Sequence, residues 1–159
     1  MDVQEYVAQQ TERMSAGLAH FVATTHEDKL QWQPQVEGSA PTRSVLEQVA
    51  ECVGVNRRIA GGLRGAAPTP PPAAGPAPII ADAADAKTQI QESGAEIAAA
   101  IRTMTEADME KIYETPRGKM LGANLILMPL RNMAYHAGQI NLIQMLAGDS
   151  EFHFPPEWR

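Results

Sequence analysis

The side chain best suited to chemistry near neutral pH is the imidazole of His136, in the run Asn132-Met133-Ala134-Tyr135-His136-Ala137-Gly138-Gln139-Ile140. At about 100° per residue along a helix, Asn132, His136 and Gln139 fall inside the arc marked by Leu125, Met128, Ile140, Ile143 and Leu146, so they face inward. A buried amide or imidazole without a partner costs about 1–3 kcal/mol. Such a stripe therefore demands a satisfied polar network, a bound ligand or a metal ion. A lone inward histidine is ordinarily hydrogen-bonded to a neighbouring helix, and the flanking amides are what shift the balance toward a site. On an earlier helix Asn56 is a second inward amide, and Glu51 lies at the edge of the same stripe beside Val55.

Other chemistries lack their residues. There is no serine, histidine and aspartate set, no phosphate-binding glycine loop and no dinucleotide fingerprint, which leaves hydrolase, kinase and dehydrogenase readings unsupported. Cys52 stands alone among Leu46, Val49 and Val53, so it forms no internal disulfide and reads as a small core residue. His20 and His26 have the wrong spacing for one helix face and read as surface or cap residues. A net charge of −6 argues against a nucleic-acid partner, and the local cations Arg57, Arg58 and Arg64 read as a solvated helix face. The start lacks a secretory pattern and no apolar run reaches the roughly 20 residues of a membrane span, so a cytoplasmic protein without a membrane partner is expected.

The elements that must position these residues are helices, because apolar spacing is helical almost throughout and strict alternation never runs far enough for a strand. The 159 residues suit one domain, 1–159. A first helix is expected from about residue 2 to 26, with Val3, Tyr6, Val7, Met14, Leu18, Phe21 and Val22 on its buried side. Ser44-Val45-Leu46-Glu47 is a capping box opening a second helix that runs to about Leu63. Residues 65–78 are Pro-rich and read as a loop or linker, followed by a third helix over about 82–104. Thr105-Glu106-Ala107-Asp108 suggests a further helical turn toward Tyr113, and Pro116, Gly118 and Gly122 mark an irregular connection. The fourth helix is expected over about 123–147, kinked at Pro129 and capped by Gly148. The expectation is an all-α, up-and-down four-helix bundle, with the apolar tail Phe152–Trp158 packed back on the bundle or on a partner subunit.

Several motifs resemble the DinB-like (YfiT-like) metalloenzymes over nearly the whole chain. They are Trp32 and Pro34 before helix 2, Arg43-Ser44 opening it with Glu47 and Glu51 in register, and above all Tyr135-His136-Ala137-Gly138-Gln139-Ile140. Asn132 through Gln144, followed by Leu146-Ala147-Gly148-Asp149, is similar to one branch of that family. The resemblance implies a divalent metal, often nickel or zinc, held by one ligand from helix 2 and a pair four residues apart on helix 4. Carried over by position, the ligands are Glu51, Asn132 and His136, with the pocket between helices 2 and 4. The family pattern has histidine at the first position and commonly histidine or glutamate at the second, so only the last is kept here. One imidazole with a carboxylate and an amide oxygen is a harder set than three imidazoles, which shifts the expected preference toward manganese, iron or magnesium. The resemblance further implies an enzyme, of the thiol-dependent transferase or isomerase kind, acting on a small molecule, and a homodimer. An ion with open positions could activate water or a cosubstrate thiol, with Gln139 orienting His136. The alternative is a metal-free bundle in which Asn56, Asn132, His136 and Gln139 form an interior network or bind a small molecule.

Overall fold

Side-chain caps set where the helices start. In the computed structural model, which describes residues 2–35, 37, 38, 40–66, 78–116 and 118–158, helix α1 (Val3–Thr24) opens at Asp2, whose carboxylate accepts the Glu5 N–H at 2.7 Å. Helix α2 (Val45–Leu63) opens on the expected capping box: Ser44 Oγ accepts from the Glu47 N–H at 3.3 Å and Glu47 Oε2 from the Ser44 N–H at 2.8 Å. It ends where Gly65 takes φ 87° and the Ala66 N–H reaches back to the Gly61 carbonyl at 2.9 Å. Helix α3 (Ala83–Arg102) starts at Asp82, and the short α4 (Glu106–Glu110) at the second expected box, on Thr105 and Asp108. Of the expected Pro-rich loop at 65–78, residues 67–77 lie outside the described residues.

Two parts of the chain differ from the sequence expectation. Ile112–Thr115 (β1) and Gly118–Leu121 (β2) pair antiparallel, so the connection before the last helix is a hairpin rather than only an irregular segment. The expected fourth helix is two. Helix α5 (Gly122–Leu125) ends, and α6 (Met128–Leu146) restarts with Pro129 in its first turn, where a missing N–H costs nothing; Pro129 thus opens a helix instead of kinking one. Gly122 is packed so closely that a Cβ there would lie 2.1 Å from the Asp108 carbonyl oxygen, which fixes a glycine at the join between hairpin and α5. Gly148 caps α6 as expected, at φ 94°, with the Asp149 N–H on the Gln144 carbonyl at 3.0 Å.

The molecule is a four-helix bundle in which α1 and α2 each pack against both α3 and α6. One half of its core gathers Leu18, Phe21, Val22, Val45, Val49, Ile90, Met133 and Ile140; the other gathers Val7, Ala8, Ala60, Ile97, Ile101 and Ile126. Val3, Tyr6 and Leu146, expected on buried faces, are more than half exposed. The tail returns to the bundle. Trp158 lies on Gly17 of α1, edge-on to Phe21 with ring centroids 5.7 Å apart. Among the described residues no helix is long and apolar enough to cross a membrane.

Candidate functional site

His136 is 2% exposed, and a short chain of hydrogen bonds decides which of its nitrogens carries the proton. Gln48, buried on α2, donates from Nε2 to the Arg43 carbonyl at 3.3 Å, which turns its Oε1 toward the imidazole, 3.2 Å from Nδ1. Nδ1 is therefore the protonated nitrogen and Nε2 keeps a bare lone pair. Burial is the main reason the imidazole loses its proton more readily than an ordinary histidine; the nearby Gln139 amide opposes this, and the charge of Arg43 adds to it. The ring is neutral near pH 7. It is Gln48 that holds its Nδ1.

The bare Nε2 has no hydrogen-bond partner. What faces it is Glu51 Oε1 at 3.6 Å, beyond hydrogen-bond length. Two acceptors turned on each other repel unless a proton or cation lies between them. The separation also suits two ligands of one ion, since atoms each about 2.0–2.2 Å from a metal lie roughly 3–3.6 Å apart. The other oxygen of Glu51 forms an ion pair with Arg43. Asn132 Oδ1 is buried and likewise has no partner. Among the described residues no group of three or more His, Cys, Asp or Glu is placed to hold a metal, so a third protein donor would have to be of another type, and Asn132 lines the cleft with Glu51. Imidazole nitrogen, carboxylate oxygen and amide oxygen fit a divalent ion of intermediate to hard character.

The remaining sequence candidates lie apart from this pair. Asn56, fully buried, donates to Ser93 Oγ at 3.3 Å and to Met133 Sδ at 3.6 Å, tying α2 to α3 and α6 rather than reaching His136 or Asn132. Its Oδ1 has no partner. The Cys52 thiol is pushed up to about 12 by burial alone, which removes it from nucleophilic chemistry. Gln144 was not among the sequence candidates, yet it is buried, and its Nε2 donates to the Phe21 carbonyl at 3.0 Å and to the Thr24 and Thr25 hydroxyls at 3.1 Å. It fastens α6 to the end of α1.

A cleft of about 1480 Å³ opens beside these residues, bounded by α2, the hairpin and the first turns of α6. Arg43, Glu51 and Asn132 line it, and His136 lies behind Glu51. Sequence reasoning missed Gln48 and the hairpin wall. The signal for Gln48 was present, since it sits three residues after Val45 and four before Cys52 on the buried stripe of α2. A family model described as the DinB superfamily matches residues 10–140, and no curated protein matches the chain.

Proposed function

The chain belongs to the DinB superfamily, and from that footing we propose that it is a metal-dependent enzyme acting on a small molecule held in the cleft beside α2. The observation that carries this reading is the approach of His136 Nε2 and Glu51 Oε1 to 3.6 Å with no hydrogen-bond partner on the buried Nε2. His136, Glu51 and Asn132 would hold the ion. Gln48 keeps Nε2 free of its proton; such partners behind a ligand typically contribute about 10–100-fold in metal affinity. Arg43 pairs with Oε2 of Glu51, while Oε1 faces the imidazole. When bound, the ion would lower the pKa of a coordinated water or cosubstrate thiol, the latter giving a thiol-dependent transfer. One imidazole beside two oxygens raises the standing of manganese and iron against nickel and zinc.

The test is titration of chelator-treated protein with nickel, zinc, manganese and ferrous iron, read by calorimetry and elemental analysis. About one ion per chain is expected in the wild type, falling to background in His136→Ala and Glu51→Gln that keep their helical circular dichroism. Substoichiometric binding of all four metals to the wild type would refute the reading.

The Arg43–Glu51 ion pair favours a second reading, because a guanidinium already neutralises the carboxylate. In it the bundle is metal-free and Asn132, His136 and Gln139 serve small-molecule binding, unaffected by chelator. The outer face of α6 supports a homodimer as the assembly. Tyr135, Leu142, Met145 and Leu146 are 53–63% exposed there, and Arg131 is the one charged residue in the helix.

A further inference from the structure

We infer that the cleft takes a small molecule joining an anionic group to an apolar body, its anionic end held by Arg57 and Arg58 of α2. This names the substrate class of the site proposed above and rests on that reading of the cleft. The argument is one of charge matching. Every carboxylate lining the cleft has a partner: Glu47 accepts from the Ser44 N–H at 2.8 Å and from Gln33 at 2.7 Å, Glu51 pairs with Arg43, and Glu114 lies 3.6 Å from Lys119. Arg57 and Arg58 line the same cleft and are exposed, and among the described residues neither has a carboxylate within ion-pair distance. Of the cations lining the cleft only Arg43 is paired, with Glu51, and among the described residues Arg57, Arg58 and Lys111 have no carboxylate within ion-pair distance. They concentrate positive potential in a cavity, where it is least screened.

Shape supplies the other half of the ligand. Arg58 follows Glu51 by two helical turns on the same face of α2, about 10 Å along its axis. Between them Gly54 and Val55 present little side chain, and Ile80, Ile112 and Met120 line the cleft as an apolar surface. A ligand whose acid group pairs with the arginines therefore lays an apolar segment along this stretch and brings its far end to Glu51 and Asn132. A bidentate guanidinium contact selects carboxylate, sulfonate or phosphate over a neutral or cationic group.

The experiment compares 8-anilino-1-naphthalenesulfonate with its uncharged parent N-phenyl-1-naphthylamine by fluorescence titration of the full chain, with and without chelator. The sulfonate is expected to bind about tenfold more tightly than the parent, and Arg57→Gln/Arg58→Gln to weaken the sulfonate about tenfold while leaving the parent unchanged. Decanoate should displace the sulfonate and decyltrimethylammonium should not. Arg13→Gln, at an exposed position on α1 outside the cleft, should change neither probe. Equal binding of the two probes, an unaffected double variant, or an equal loss in Arg13→Gln would overturn the inference. Probe discrimination in protein that binds no metal sustains it while removing the metal reading, and metal binding without probe discrimination does the reverse.

Discussion

Gly17 is the position where a single methyl group should change sign in its effect on stability according to what faces it. A Cβ built there would lie 2.3 Å from Trp158 Nε1 and 2.8 Å from Cε2, so the indole must leave. It cannot slide aside, since Phe21 and Phe154 hold it at centroid distances of 5.7 and 5.8 Å. A fully buried tryptophan removes about 150–250 Å² from water, about 4–6 kcal/mol at 25 cal/mol per Å². Trp158 is mostly buried but sits on a terminal segment that can peel away and rebury part of its surface elsewhere, which brings the loss to roughly 2–3 kcal/mol. Alanine in place of glycine inside a helix returns about 1 kcal/mol. Gly17→Ala should therefore destabilise the protein by about 1–2 kcal/mol, whereas in a Trp158→Ala background the same change should stabilise it by about 0.5–1 kcal/mol. Urea unfolding followed by circular dichroism measures both. An effect of the same sign and size in the two backgrounds would refute the placement of the tail.

Gln48→Leu removes the acceptor that fixes the His136 tautomer; a stability loss of about 1–3 kcal/mol and a 10–100-fold fall in metal affinity are expected, and wild-type affinity by calorimetry would count against the site. Hydrogen bonds hold several carboxyls below their ordinary range: Glu5 through Arg102, Glu47 through the Ser44 N–H, Asp85 through the Ala81 N–H and Asp108 through Thr105. Groups depressed in the folded state stabilise it above their unfolded pKa of about 4 and lose that contribution as pH falls, so the melting temperature should drop between about pH 5 and 3. A flat profile there would contradict it. Sedimentation at tens of micromolar is expected to show a dimer, shifted toward monomer by Leu142→Glu with little change in melting temperature; a wild-type monomer would dismiss the α6 face as the contact.

The long helices were legible because their ends carry chemistry that acts locally: Ser44 with Glu47, and Gly148 at its positive φ. Leu125-Ile126-Leu127-Met128-Pro129 is apolar throughout, so periodicity has no phase there, and the break between α5 and α6 is visible only in the backbone. The hairpin was hidden for a related reason. Its strands are four residues each, alternating exposed and half-buried in β1 and with one half-buried position in β2, too short to distinguish a period of two from a helical turn. In the site, the inward placement of His136 and the half-buried rim position of Glu51 followed from counting along helices. The partners that give them meaning did not, since Gln48 lies 88 residues from His136 and only packing of α2 against α6 brings them together.

Both arms of the acceptor pair are rooted in one short stretch of chain. The Arg43 carbonyl orients Gln48 and so the imidazole, while the Arg43 side chain holds Glu51. Fraying of the first two turns of α2 would thus release the tautomer lock and the carboxylate anchor together, with the rest of the bundle intact. Loss of the site would be a single cooperative event, and amide exchange over residues 43–51 would report the fraction of time for which the site exists.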